Sequence, residues 1–209
     1  MSGYYIARHG QSEWNLAHRI QGQTNTQLSP LGLRQSQDLL MVLKDKTLTD
    51  IFTSNLDRSF ITAQPLARYL GLPIRRMESL NELAFGELEG KYLHDLDKQD
   101  REIWEWWMAD PVQRRIPGGE SYQDMFDRVG SFLAETEKPG DQKTILIVGH
   151  MRVNQVLMGC LADLPLKKAI TIRQPNNWIY YYREGSQIWG AEIPSEADGN
   201  IIWQPGLLY

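Results

Sequence analysis

Two histidines and two arginines stand where short apolar runs give out. Arg8-His9-Gly10 follows Tyr4-Tyr5-Ile6-Ala7, Arg58 closes Thr53-Ser54-Asn55-Leu56-Asp57-Arg58, and His150 follows Thr144-Ile145-Leu146-Ile147-Val148-Gly149. If those runs are neighbouring parallel strands, the four side chains meet beyond one set of carboxyl ends, where open α/β sheets bind ligands. The mouth so formed is strongly cationic, and a dianionic phosphate suits it. Arginine presents a planar fork of donors that matches phosphate oxygens and stays charged at any working pH. A neutral imidazole can attack phosphorus, while a second imidazole, held as a donor, stabilises the equatorial oxygens in flight. Phosphoryl transfer asks chiefly for position and charge. The leaving alkoxide still needs a proton, and Glu82 is the candidate acid, because a carboxyl buried beside a dianion holds its proton more firmly.

Each residue alone has an ordinary explanation. Arg-His-Gly occurs by chance, His150 could be a hydrogen-bonded core histidine, and Arg58 and Glu82 could be surface charges. Complementary chemistry at three strand ends is a poor accident.

The intervening elements must bring those ends together. Residues 4–7 predict a strand, and a polar loop with Gly10, Gly22 and Asn25 follows. Ser29-Pro30 starts a helix that runs to about Lys46, with Leu33, Leu39, Leu40, Val42 and Leu43 on one side. Asp50–Thr53 predicts a second strand. Asp57 then caps a helix to about Tyr69, which Pro65 should kink and Gly71 stop. Ile74–Met77 is a third short strand. Tyr122, Met125, Phe126, Val129, Phe132 and Leu133 mark an amphipathic helix that Pro139-Gly140 ends. Thr144–Val148 is apolar without alternation, as a strand of a parallel sheet is. A helix over about 152–162 and late strands at Trp178–Tyr182 and Gln187–Glu192 complete the chain. Strands alternating with helices mean an α/β fold with a mostly parallel sheet. The stretch of about 83–119 breaks the alternation and reads as a cap-like insertion over one end of that sheet. No repeat, linker or composition shift divides residues 1–209, so one domain is expected.

Composition narrows the alternatives. The 209 residues are 42% hydrophobic and 23% charged, which argues against disorder and coiled coil. A net charge of −4 argues against nucleic acid or an anionic membrane as partner, while leaving room for a local basic pocket. The single cysteine, Cys160, excludes an internal disulfide and a multi-cysteine zinc site, and its apolar neighbours predict a small buried residue. Nothing resembles a membrane span or a secretory leader, so a soluble cytoplasmic protein is expected.

The motifs carry a family resemblance. Tyr4-Tyr5-Ile6-Ala7-Arg8-His9-Gly10-Gln11-Ser12-Glu13-Trp14-Asn15 resembles the strand-plus-RHG signature of the histidine phosphatase superfamily, the phosphoglycerate mutase-like proteins. The resemblance continues through Gln21-Gly22, Leu28-Ser29-Pro30-Leu31-Gly32, Ser54-Asn55-Leu56-Asp57-Arg58 and Thr62-Ala63. Asn81-Glu82-Leu83-Ala84-Phe85-Gly86-Glu87-Leu88-Glu89-Gly90, Pro117-Gly118-Gly119-Glu120-Ser121 and Val148-Gly149-His150 complete it in the expected order. It implies a three-layer α/β/α sandwich, His9 as the phosphorylated nucleophile and Glu82 as the proton donor. Arg8, Arg58 and His150 would form the phosphate pocket. Asn15 would add a phosphate contact, with Gln21 and Gly22 beside the substrate. No metal and no cofactor are implied, and the sequence holds no ligand cluster. The partner is a small phosphorylated metabolite, and a homodimer stays open. Two positions depart from the pattern. Met151 replaces the usual glycine after the second histidine and must either narrow the pocket or point away. Phe60 stands where close mutase-like relatives often carry a basic residue.

A metal-independent phosphomonoester hydrolase and a phosphoglycerate mutase would share the phosphohistidine. The short interval between Glu82 and His150 and the form of the Glu82 segment favour a small phosphatase. Arg114 and Arg115 could serve a mutase by holding a second anionic group, or be solvated surface. A catalytically weak binding module of the same fold is a further alternative, although every expected catalytic residue is present. A dinucleotide binder is rejected, because no Gly-x-Gly-x-x-Gly follows the first strand. Trp104 and Trp107 share a helical face that suits core packing, while Trp106 could line the pocket or an interface. Tyr180-Tyr181-Tyr182 reads as strand, and His18, His94 and Lys167-Lys168 as exposed.

Overall fold

The apolar run Thr144–Gly149 lies inside a sheet with neighbours on both sides, and both faces are covered, which is why its sequence shows no polar alternation. The computed structural model describes residues 2–136, 142–183, 185–195 and 201–209. Its strands are β1 (Gly3–Arg8), β2 (Asp50–Ser54), β3 (Ile74–Met77), β4 (Thr144–Gly149), β5 (Trp178–Arg183), β6 (Trp189–Glu192) and β7 (Gln204–Pro205). Its helices are α1 (Glu13–Leu16), α2 (Pro30–Leu43), α3 (Asp57–Leu70), α4 (Lys98–Ala109), α5 (Tyr122–Thr136), α6 (Met151–Leu161) and α7 (Leu166–Ala169). The strands form one sheet in the order β3-β2-β4-β1-β5-β6-β7. β3, β2, β4 and β1 run parallel, so their carboxyl ends share one edge, with Arg8 beside Gly149 and Thr53 beside Val148. The late strands β5, β6 and β7 pair antiparallel, so the parallel arrangement holds in the core of the sheet and not at its far side.

Period-two alternation along the strands divides the core into two layers. Tyr4, Ile6, Phe52, Ile145 and Ile147 face α5 and α6, meeting Met125, Val129, Phe132, Val153 and Val156. Tyr5, Ala7, Ile51, Leu146 and Val148 face α2 and α3, meeting Leu39, Val42, Leu43, Ala63 and Leu66. The result is an α/β/α sandwich. Leu33, expected on the buried side of α2, is 50% exposed.

Helix ends show where local signals sufficed. Ser29 caps α2 by accepting from the Gly32 amide at 3.1 Å, with Pro30 behind it. Gly71 stops α3 in the left-handed region, and α3 runs on through Pro65. The expected Asp57 cap is corrected: Leu56 holds the cap position, and Asp57 is the first helical residue, paired with Arg76 at 2.8 Å. The amides there are satisfied by other side chains instead, Leu56 by the nearby Ser54 Oγ and Asp57 by the distant Asn25 Oδ1. The expected Pro139-Gly140 helix stop lies outside the described residues.

The segment 83–119 contains two short 3₁₀ turns and α4, which Asp97 caps. Its Leu83, Phe85, Leu88, Leu96, Trp107 and Ile116 join the same cluster as Ile6 and Ile145. Cys160 is half-buried rather than buried, and burial pushes its thiol up to about 11. Among the described residues no helix is long and apolar enough to cross a membrane.

Candidate active site

His9 continues the pairing of β1 by one residue, its amide donating to the Gly149 carbonyl at 3.0 Å. Asn176 Nδ2 holds the His9 carbonyl at 2.7 Å. The imidazole Nδ1 lies 2.7 Å from the Gly10 carbonyl. A carbonyl only accepts, so Nδ1 carries the proton and Nε2 is left with its lone pair. Burial, reinforced by Arg58 and Arg8, holds the His9 pKa well below the usual histidine range, so the ring is neutral at neutral pH. Gly10 is required at the turn, because a Cβ there would overlap the Gly32 carbonyl at the start of α2. Thr62 Oγ1 accepts from the Gly10 amide at 2.9 Å and donates to the Arg58 carbonyl at 2.7 Å, joining the turn to α3.

Beneath His9 lie Arg58 and His150, both fully buried. The rings of His9 and His150 are 4.9 Å apart between centroids. Arg58 Nε donates to His150 Nδ1 at 3.3 Å. An arginine Nε–H cannot accept, so His150 carries its proton on Nε2 and donates it to Ser54 Oγ at 2.7 Å. Burial and then Arg58 push the His150 pKa well below the usual range as well. The Arg58 Nη2 and Nη1 groups donate to the carbonyls of Gly22 at 2.7 Å and Thr24 at 2.9 Å. Burial lowers the Arg58 pKa to about 10, which leaves it charged. The loop bearing those carbonyls is tied down by Glu89, whose carboxylate accepts from the amides of Gln23, Thr24 and Phe85 and from Thr24 Oγ1. Gly22 sits at φ 53°, and a Cβ there would overlap the Glu89 carboxylate.

Above this floor opens a cavity of about 350 Å³. Arg8, His9, Asn15, Gln21, Gly22, Glu82 and Met151 line it, so seven of the residues singled out in the sequence meet there, while Arg58 and His150 lie below its wall. Arg8 Nη1 donates to the Gln174 carbonyl at 2.9 Å, and its buried Nε makes no hydrogen bond among the described residues. Burial lowers the Arg8 pKa to about 10. Glu82 is buried, with one carboxyl oxygen accepting from the Leu83 amide at 2.9 Å and the other from the Arg152 amide at 3.4 Å. Asn15 Nδ2 donates to Gln21 Oε1 at 3.4 Å. Met151 lines the cavity and therefore narrows it.

The remaining wall was not anticipated. His18, Arg19, Ile20, Phe85, Leu93, Trp104 and Arg152 all face the cavity. Trp104 packs against the core as its spacing implied, close to Trp107 and Phe85, and its other side reaches the cavity wall, whereas Trp106 is 48% exposed beneath Arg114 and Trp107 is core. The i, i+3 rule relates residues within α4 but not α4 to the site. Arg114 and Arg115 are turned elsewhere, Arg114 to the Trp106 carbonyl and ring, Arg115 to Asp124 at 2.5 Å. Phe60 lies under Arg76 at another groove. Arg152 is the one addition with a usable signal, a cation two residues past His150 on the same helix start.

Known proteins resemble this chain in sequence and fold. The profile of the histidine phosphatase superfamily (branch 1) matches residues 4–189. A candidate phosphoserine phosphatase of Hydrogenobacter thermophilus is 31% identical over 86% of this chain and 88% of its own. A phosphoglycerate mutase candidate, GpmB of Salmonella choleraesuis, is 34% identical over 76% of this chain and 72% of its own. The α-ribazole phosphatase of Shigella flexneri superposes with a TM-score of 0.80 at 27% identity, over 86% of this chain and 89% of its own. With a profile spanning most of its length and a neutral histidine seated over a buried arginine, the chain belongs to the histidine phosphatase superfamily, branch 1.

Proposed function

We propose that the protein hydrolyses a small phosphorylated metabolite through a phosphohistidine, without a metal. The observation that carries this reading is the His9 ring, neutral, with its proton committed to the Gly10 carbonyl and Nε2 unprotonated in a cavity shared with Arg8 and Glu82. Nε2 attacks phosphorus and the bond to the leaving oxygen breaks. Glu82 supplies that oxygen with a proton and the alcohol departs. Water then attacks the phosphohistidine and returns a proton to Glu82. The N–P bond breaks, its electron pair returns to Nε2, and phosphate leaves. Arg8 offers its unengaged Nε to the phosphate, and Arg58 retains one further N–H on each terminal nitrogen. His150 has both nitrogens occupied, so it braces Arg58 and reaches a phosphate oxygen only by giving up one partner. Asn15, Gln21, Gly22 and Met151 border the phosphate.

In this reading residues 1–209 act as one domain, and the segment of about 83–119 supplies the leaving-group wall through Phe85 and Trp104. Mutase-type transfer is the weaker reading, because Arg114 and Arg115 are engaged away from the cavity. The test is rapid quenching with a labelled phosphomonoester. Wild-type protein should trap acid-labile phosphate on nitrogen, and His9→Ala should lose both label and turnover by at least about 10⁴-fold. Label persisting in His9→Ala would overturn the assignment.

A further inference from the structure

The cavity holds more positive charge than a phosphate monoester needs. Arg8 and Arg152 line it and Arg58 lies beneath, while Glu82 is the only carboxyl among its described lining residues. Among the described residues no carboxylate lies within ion-pair distance of any of the three guanidiniums. With Glu82 protonated, as the acid of the proposed reaction, a bound dianion offsets Arg8 and Arg58. Arg152 is left over. Its guanidinium lies over the Phe85 ring, 4.5 Å from the centroid, and its Nε is buried with no hydrogen-bond partner. Its guanidinium also donates to the Tyr122 hydroxyl, which in turn donates to Gln155 at 2.8 Å and brings no charge. A half-buried guanidinium whose Nε is buried without a partner, and which faces no anion, is completed where a ligand supplies one. Arg19 is different: it is spent on Tyr92 and Trp14 at the rim.

Position says which part of the ligand. The Arg152 amide bonds the carboxyl oxygen of Glu82, the group that meets the leaving oxygen, so the Arg152 side chain stands on the leaving-group side. We propose that Arg152 selects phosphomonoesters whose leaving group carries a second anionic group, a carboxylate or another phosphate. This rests on the hydrolase reading above, and the test separates the two. Three three-carbon ligands serve as probes: glycerol 3-phosphate, 3-phosphoglycerate and propane-1,3-diol bisphosphate. Binding is measured by calorimetry on His9→Ala protein, and turnover on wild type. The ligands with a second anion should bind about 10- to 100-fold tighter than glycerol 3-phosphate, as one charge-assisted hydrogen bond allows. The tighter of the two identifies carboxylate or phosphate. Adding Arg152→Met should bring the ratio toward one, and Arg152→Lys should restore part of it. Equal binding of all three, or an unchanged ratio in folded Arg152→Met protein, overturns the inference. If Arg152→Met fails to fold, the ratio measured without it still decides. Preference in binding with no turnover of any probe would overturn the hydrolase reading alone, and turnover without preference would overturn this inference alone.

Discussion

The floor and the mouth of the cavity are built differently. At the floor, Arg58 and His150 are wholly buried, His9 is 2% exposed, and each imidazole proton has an assigned acceptor. At the mouth, Trp104, Met151 and Arg152 are half-buried, held by ring contacts and one backbone bond. The difference teaches where each kind of work is done. In the proposed function the transferred phosphoryl group is common to every monoester, so the groups that would hold it can be fixed before substrate arrives. Leaving groups differ, and their subsite is left to a few large side chains with fewer fixed partners.

Substitutions can break that contrast or sharpen it. Glu82 stands between the two regions, and Glu82→Gln should cut kcat/KM by about 10²- to 10⁴-fold for alkyl monoesters. For p-nitrophenyl phosphate, whose leaving group needs no proton, the loss should be under about tenfold; equal losses across a leaving-group series would remove Glu82 from the role of acid. At the floor, Arg58→Lys keeps the charge and loses the fork that reaches His150, Gly22 and Thr24. It should cost about 10²- to 10³-fold in kcat/KM for every substrate alike, and steady-state assays on several esters check this. A loss confined to some leaving groups would contradict the division.

The floor also predicts a pH dependence of stability. Both imidazoles are neutral in the fold, whereas the unfolded chain protonates them below about pH 6.5. Unfolding therefore takes up protons, and stability present above pH 6.5 is lost as pH falls through and below that value. Each histidine contributes up to about 1.4 kcal/mol per pH unit. Urea melts at pH 7 and 5.5 should differ by about 2–3 kcal/mol, with His9→Asn keeping about half the difference, and a flat profile would mean that the folded rings titrate as they do in the unfolded chain. The smallest effects belong to the mouth. Trp104→Ala should raise KM about three- to tenfold with kcat little changed, whereas Trp106→Ala, exposed on the other side of α4, should alter neither. Equivalent kinetics for the two variants would erase the distinction between wall and surface.

Much of this was legible in the chain alone, for a physical reason. Unbroken apolar runs such as Thr144–Val148 specify buried parallel strands, and parallel strands must put their carboxyl ends on one edge. Arg8, His9 and His150, each at or just past the end of a strand, and Arg58, in the first turn of the helix that follows β2, could therefore be brought together without coordinates. Local chemistry was equally readable where it is local, as in the Ser29 cap and the Gly71 stop. The rest depends on groups distant in the chain. The protonation of His150 follows from Ser54 and Arg58, the partner of the Asp57 amide at the start of α3 from Asn25, and the facing of Trp104 from how α4 lies against Phe85. Periodicity relates a residue to its own helix or strand; which nitrogen holds a proton, and which ring borders a cavity, are set by atoms that sequence spacing does not bring near.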